Sequence, residues 1–135
     1  MIHPLLTVFL LCAMQSASAQ TTPAPAETSI VTILENAKNA FRYQDYQKTL
    51  ELVRPLLYPT LRLTGTDDIR TAREYLASSY WWLKERDKAS EEFTALLLEE
   101  PGYHLDPFYY PAPLVSFFET LREELFSKGI LDSKP

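Results

Sequence analysis

An all-α fold, built from antiparallel helix pairs with a capping helix at the C-terminal end, is what this sequence predicts. Three observations carry that reading. Apolar residues recur at the i, i+3, i+4, i+7 spacing of a helix with one buried face in five separate stretches. Turn signals at Gln44-Asp45, Thr64-Gly65-Thr66-Asp67-Asp68, Arg86-Asp87 and Pro101-Gly102 separate those stretches. No segment alternates apolar and polar residues for long enough to need a sheet.

The chain of 135 residues has room for one domain. Met1 to Met14 is nearly free of polar groups, and Ala17-Ser18-Ala19 ahead of Gln20 has the small-x-small form of a signal-peptidase site, so residues 1–19 read as a cleaved signal peptide. An apolar run of about ten residues is short of the roughly 20 that cross a bilayer as a helix, which argues against a retained anchor. Cys12 is the sole cysteine and leaves with the signal, so no disulfide staples the remaining chain. About 115 residues must then hold together by their core alone. Residues 20–28, opening QTTPAPAE, are too poor in apolar groups to order themselves and read as a linker.

The helical domain is expected over 29–130, with a tail at 131–135. Its first helix starts at a Thr28 or Ser29 cap, carries Ile30, Ile33, Leu34, Ala37, Ala40 and Phe41 on one face, and ends near Tyr43. The second repeats the period through Tyr46, Leu50, Val53 and Leu57, with Pro55 expected to kink it or end it. The third opens with acid at Asp67-Asp68 and runs through Ile69, Ala72, Leu76, Ala77, Tyr80 and Leu83 to Lys84. Arg86-Asp87 turns the chain into a fourth, bearing Ala89, Phe93, Leu96 and Leu97, which Pro101-Gly102 stops. Residues 103–113, YHLDPFYYPAP, form an aromatic and proline-rich connector. A fifth helix follows from Pro113 through Leu114, Phe117, Phe118, Leu121, Leu125 and Phe126 to a cap at Gly129.

Residues 73–101 resemble a tetratricopeptide repeat. Leu76, Ala77, Tyr80, Ala89, Phe93 and Pro101 fall at that family's spacing, while Arg73 stands where Trp is preferred and Ala77 replaces Gly. Residues 31–57 resemble a weaker copy, with Ala37, Ala40, Tyr46, Leu50 and Val53 in register. The copies are about 40 residues apart against 34 in the family, which assigns about six extra residues to the loop between Tyr58 and Asp68. Pro107 and Pro111 interrupt the next unit, so the fifth helix is expected as an atypical cap.

The resemblance implies protein recognition, in a groove lined by the first helices of successive repeats. By register the groove-facing residues are Leu34, Lys38, Phe41 and Arg42 from one copy and Glu74, Ser78, Trp81 and Trp82 from the other. Tyr80, Trp81 and Trp82 succeed one another at about 100° around a helix, too wide an arc for all three to face one core. Aromatic residues and arginine are the usual anchors of interfaces, which favours Phe41, Arg42, Trp81 and Trp82; packing of the tryptophans against the cap is the other reading. The connector is either a lid over a small core or a recognition loop presenting Phe108, Tyr109 and Tyr110.

The formal net charge is −5 with acids and bases interspersed, so neither nucleic acid nor an anionic membrane surface is an expected partner. His104 and Asp106 lack a nucleophile motif and are too few to hold a structural zinc. Gly65, Gly102 and Gly129 are the only glycines, and they form no phosphate loop. No cofactor and no enzymatic activity are expected. The sequence therefore predicts an exported module of the bacterial periplasm, an adaptor or scaffold binding a peptide or partner subunit; a structural subunit of a cell-envelope assembly is the alternative, and a helical cell-wall hydrolase a more distant one.

Overall fold

Ser29 opens the first helix by a side-chain cap, its hydroxyl accepting a hydrogen bond from the Thr32 amide at 3.2 Å. That satisfies a backbone donor which the helix start leaves free. The computed structural model describes residues 29–132, so the expected signal peptide with Cys12, the linker and the last three residues lie outside the described residues. Five helices follow one another: α1 (Ile30–Arg42), α2 (Tyr46–Leu57), α3 (Thr66–Trp82), α4 (Arg86–Glu99) and α5 (Ala112–Ser127). Among the described residues there is no strand, and the fold is all-helical.

The α1–α2 and α3–α4 connections are the same turn made twice. Gln44 (φ 63°) and Lys84 (φ 67°) both sit in the left-handed region. After α1, the Gln44 amide donates to Phe41 O and the Asp45 amide to Ala40 O; after α3, the Lys84 amide donates to Trp81 O and the Glu85 amide to Tyr80 O. This paired closure of a helix end reverses the chain within three residues, so each pair packs as an antiparallel hairpin. Glycine would adopt that φ without steric cost. At the end of α5 it does: Gly129 (φ 70°) and Ile130 donate to Phe126 O and Leu125 O in the same pattern.

The structure departs from the sequence expectation at a few points, α5 beginning at Ala112 in place of Pro113 among them. α3 stops at Trp82 and not Lys84, and the turn lies at Leu83–Glu85, because the left-handed Lys84 ends the ladder before Arg86 starts α4. Pro55 does not end α2, which continues to Leu57. A proline so close to the helix end removes one amide from the final turn and leaves the preceding ladder intact.

The core is continuous from α1 to α5. Leu34 and Ala37 of α1, Val53 and Leu56 of α2, Ala72, Leu76 and Ala77 of α3, and Ala89, Phe93, Leu96 and Leu97 of α4 are buried together. α3 packs against α1, α2 and α4. The alanines let the hairpin helices approach closely. Phe118 of α5 meets Phe93 edge-on at 5.1 Å, which makes α5 a cap on α4. Leu131, assigned by sequence to the tail, is buried, and its amide donates to Leu125 O.

Arg73, which stands where the repeat pattern prefers Trp, has a polar task. Its Nε donates to Glu99 at 3.1 Å and its Nη1 to the Tyr58 hydroxyl at 3.1 Å, and Tyr58 donates in turn to Glu92 at 2.9 Å. The α2–α3 loop is thereby tied to α3 and α4. Burial raises the Glu92 carboxyl above its ordinary range, against the opposing pull of Tyr58 and Arg73.

Candidate functional site

The first helices of the two hairpins, α1 and α3, lie side by side, and a cavity of about 640 Å³ opens along them. α1 contributes Lys38, Phe41 and Arg42, and the turn and start of α2 add Gln44 and Tyr46. Glu74, Tyr75 and Trp82 of α3 form the opposite wall. The connector closes one side with Tyr103, Asp106, Tyr109, Tyr110 and Pro111. Aromatic rings dominate the lining, and they brace one another. Tyr46 stacks on Trp82 at 5.4 Å with the planes 6° apart. Phe41 packs against Tyr75 at 4.7 Å, Tyr46 at 5.5 Å and Tyr110 at 6.2 Å. Rings fixed in this way present a formed surface whose side chains have little rotamer freedom left to lose on binding.

Glu74 anchors the connector. Its two carboxylate oxygens accept hydrogen bonds from the hydroxyls of Tyr103 and Tyr110. Burial, reinforced by Glu74, pushes both phenols well above the usual tyrosine range, so they remain neutral donors. The connector's tip is set by Asp106, whose carboxylate accepts the Phe108 amide at 2.8 Å and whose carbonyl accepts the amides of Tyr109 and Tyr110. His104 meets Glu119 of α5 at 2.7 Å and fixes the other flank.

Of the residues expected to contact a partner, Lys38, Phe41, Arg42, Glu74, Trp82, Tyr109 and Tyr110 come together in this one cavity. Leu34, Ser78 and Trp81 do not, and the groove assignment for them is corrected. They are core residues, 3%, 0% and 5% exposed. α3 is covered by three neighbouring helices, and every residue from Leu76 to Trp81 is buried, which leaves no open face there. The Trp81 ring sits between the edge of Trp82 and the Arg86 guanidinium, 5.1 and 4.8 Å away. Phe108 is 85% exposed and lies outside the cavity, edge-on to Tyr109 at 5.1 Å.

Gln44, Tyr46, Tyr75, Tyr103, Asp106 and Pro111 line the cavity without having been assigned to it. Tyr75 follows Glu74 directly, and Tyr103 and Asp106 belong to the connector already singled out, so an aromatic bias in the signal was present. What joins them is the fold-back of the connector onto α3. Among the described residues no group of three or more His, Cys, Asp or Glu is arranged to hold a metal ion, and no helix is long and apolar enough to cross a membrane. Comparison of the chain with models of known protein families, with curated proteins and with solved structures finds no match. The fold and the cavity together define an all-helical protein with an aromatic-walled groove between its helix hairpins.

Proposed function

We propose that this chain is an exported, non-enzymatic interaction module of the tetratricopeptide-repeat kind, an adaptor or scaffold of the bacterial periplasm that holds a peptide or a partner subunit in the α1–α3 groove. One observation carries the reading. Lys38, Phe41 and Arg42 of one repeat-like copy, Glu74 and Trp82 of the other, and Tyr109 and Tyr110 of the connector line a single concave surface whose rings pack on one another. Concave, largely aromatic sites with a few polar groups are where binding energy concentrates. The groove and the connector thus act as one site.

The test is site-specific photo-crosslinking in the native host from Arg42 and Tyr109, both exposed residues of the groove lining, with Leu98, an exposed residue of α4, as the outside position. The expected result is the same protein adduct from Arg42 and Tyr109 and none from Leu98. Adducts from Leu98 alone would remove the groove from the interface. A second reading, a structural subunit of an envelope assembly that docks by the connector, is favoured by the outward Phe108. It predicts adducts at Phe108 with none at Arg42.

A further inference from the structure

The polar groups of the groove wall divide by kind. Glu74 is engaged on both carboxylate oxygens, by the hydroxyls of Tyr103 and Tyr110, whereas the exposed Asp106 receives the Phe108 amide on one oxygen. Lys38 is partly engaged, with one bond at 2.6 Å to Glu35 on its own helix. Among the described residues the Arg42 guanidinium, the Gln44 amide and the hydroxyls of Tyr46, Tyr75 and Tyr109 have no side-chain partner, and all five line the cavity. Arginine and lysine donate and cannot accept, while the amide and the hydroxyls do both and Asp106 only accepts, so the capacity left open to a ligand has a surplus of donors. The rest of the wall is ring surface.

We infer that the occupant of this groove is an extended, proline-rich segment of a partner protein. The inference rests on the groove being the recognition site proposed above, and it follows from complementarity. A polyproline-II segment makes no internal hydrogen bonds and shows its carbonyls to the surroundings, and each proline lacks an N–H. Such a ligand is rich in acceptors and poor in donors, which matches a wall with a surplus of open donors. Pyrrolidine rings are flat and apolar, and the rings of Phe41, Tyr46, Trp82 and Tyr109 give them faces to lie against. The fixed proline φ means that little chain entropy is lost on docking to a groove already formed. Charge refines the match: Arg42, which has no acidic partner among the described residues, stands as an open cation on the wall although the chain as a whole carries −5. A carboxylate beside the prolines therefore strengthens binding, and a lysine there weakens it.

The experiment uses the full chain with fluorescein-labelled decaproline, followed by fluorescence anisotropy. A Gly-Ser peptide of the same length and a β-1,4-linked N-acetylglucosamine oligomer serve as the other ligands. The expected result is saturable decaproline binding at least about tenfold tighter than the Gly-Ser peptide, weakened about tenfold by Arg42→Ala and by Tyr109→Ala, and unchanged by Leu98→Ala. Both groove substitutions are at exposed positions, so the fold is retained. Decaproline binding no tighter than Gly-Ser, or indifferent to both groove variants, overturns the inference. If crosslinks from Arg42 and Tyr109 capture a segment without proline, this inference fails while the recognition reading stands. Binding of the sugar oligomer with no peptide binding overturns both.

Discussion

Two phenols and one carboxylate hold the connector to α3. A hydrogen bond to a charged acceptor contributes more than a neutral one, and Glu74 keeps a second donor when one is lost, so Tyr110→Phe should lower the unfolding free energy by about 1 to 2 kcal/mol, measured by urea denaturation. The same group sets a pH dependence. Its folded pKa is raised above the ordinary 10.0, so its contribution is fully present below that value and is lost as the pH rises past it. Urea midpoints measured from pH 8 to 11 should fall, and fall less steeply in Tyr110→Phe. At the first turn, Gln44→Gly should stabilise by about 1 kcal/mol, because it relieves a left-handed residue that carries a Cβ. Lys84→Gly should gain less, since it also removes an ammonium held 5.8 Å over the Trp81 ring. Register alone misplaced Ser78 and Trp81. A helical period locates a buried stripe only while the opposite face stays open, and six consecutive residues of α3 are buried.

At the scale of elements, all five helices were legible, because each buries a face and ends at a turn residue that the sequence displays. The exceptions have local causes: Pro55 falls where α2 can spare an amide, and Lys84 takes a conformation usually marked by glycine. The connector, legible only as lid or recognition loop, carries side chains of both kinds, buried and exposed. Leu105 and Tyr110 point into the core, while Phe108 and Tyr109 stand in solvent. The Arg73 network gives a test at this scale. The Arg73 and Glu92 side chains are 14% and 11% exposed, and removing the cation leaves Glu92 nearly buried with only Tyr58 as partner. Arg73→Ala should therefore cost about 2 to 3 kcal/mol, below the range for a fully buried pair, in the same urea assay. Phe118→Ala should cost about 3 to 5 kcal/mol by opening a void against Phe93.

Over the whole molecule, each hairpin needs a neighbour to cover its exposed side, and α5 with the connector supplies the last cover. A chain ended after Glu100 lacks both, leaving Phe93 without Phe117 and Phe118. It is expected to lose the sharp urea transition of the full chain, followed by far-ultraviolet circular dichroism. The groove as a whole was only half legible. Its α1 and α3 walls could be read from the repeat register, but its third side depends on Tyr110 reaching Glu74 across 36 residues of sequence, a contact that no local period encodes.

The paired indoles give the protein a reporter of its own. Trp81 is sealed in the core, whereas Trp82 is half-buried, stacked on Tyr46 at the groove wall, with the two rings 5.1 Å apart and 82° to one another. Near-ultraviolet emission from the unlabelled chain should therefore contain two components, only one of them accessible to acrylamide. A molecule entering the groove would shield that component and shift its colour while leaving the other unchanged. Occupancy of the groove by any added molecule can then be read optically from the unlabelled chain.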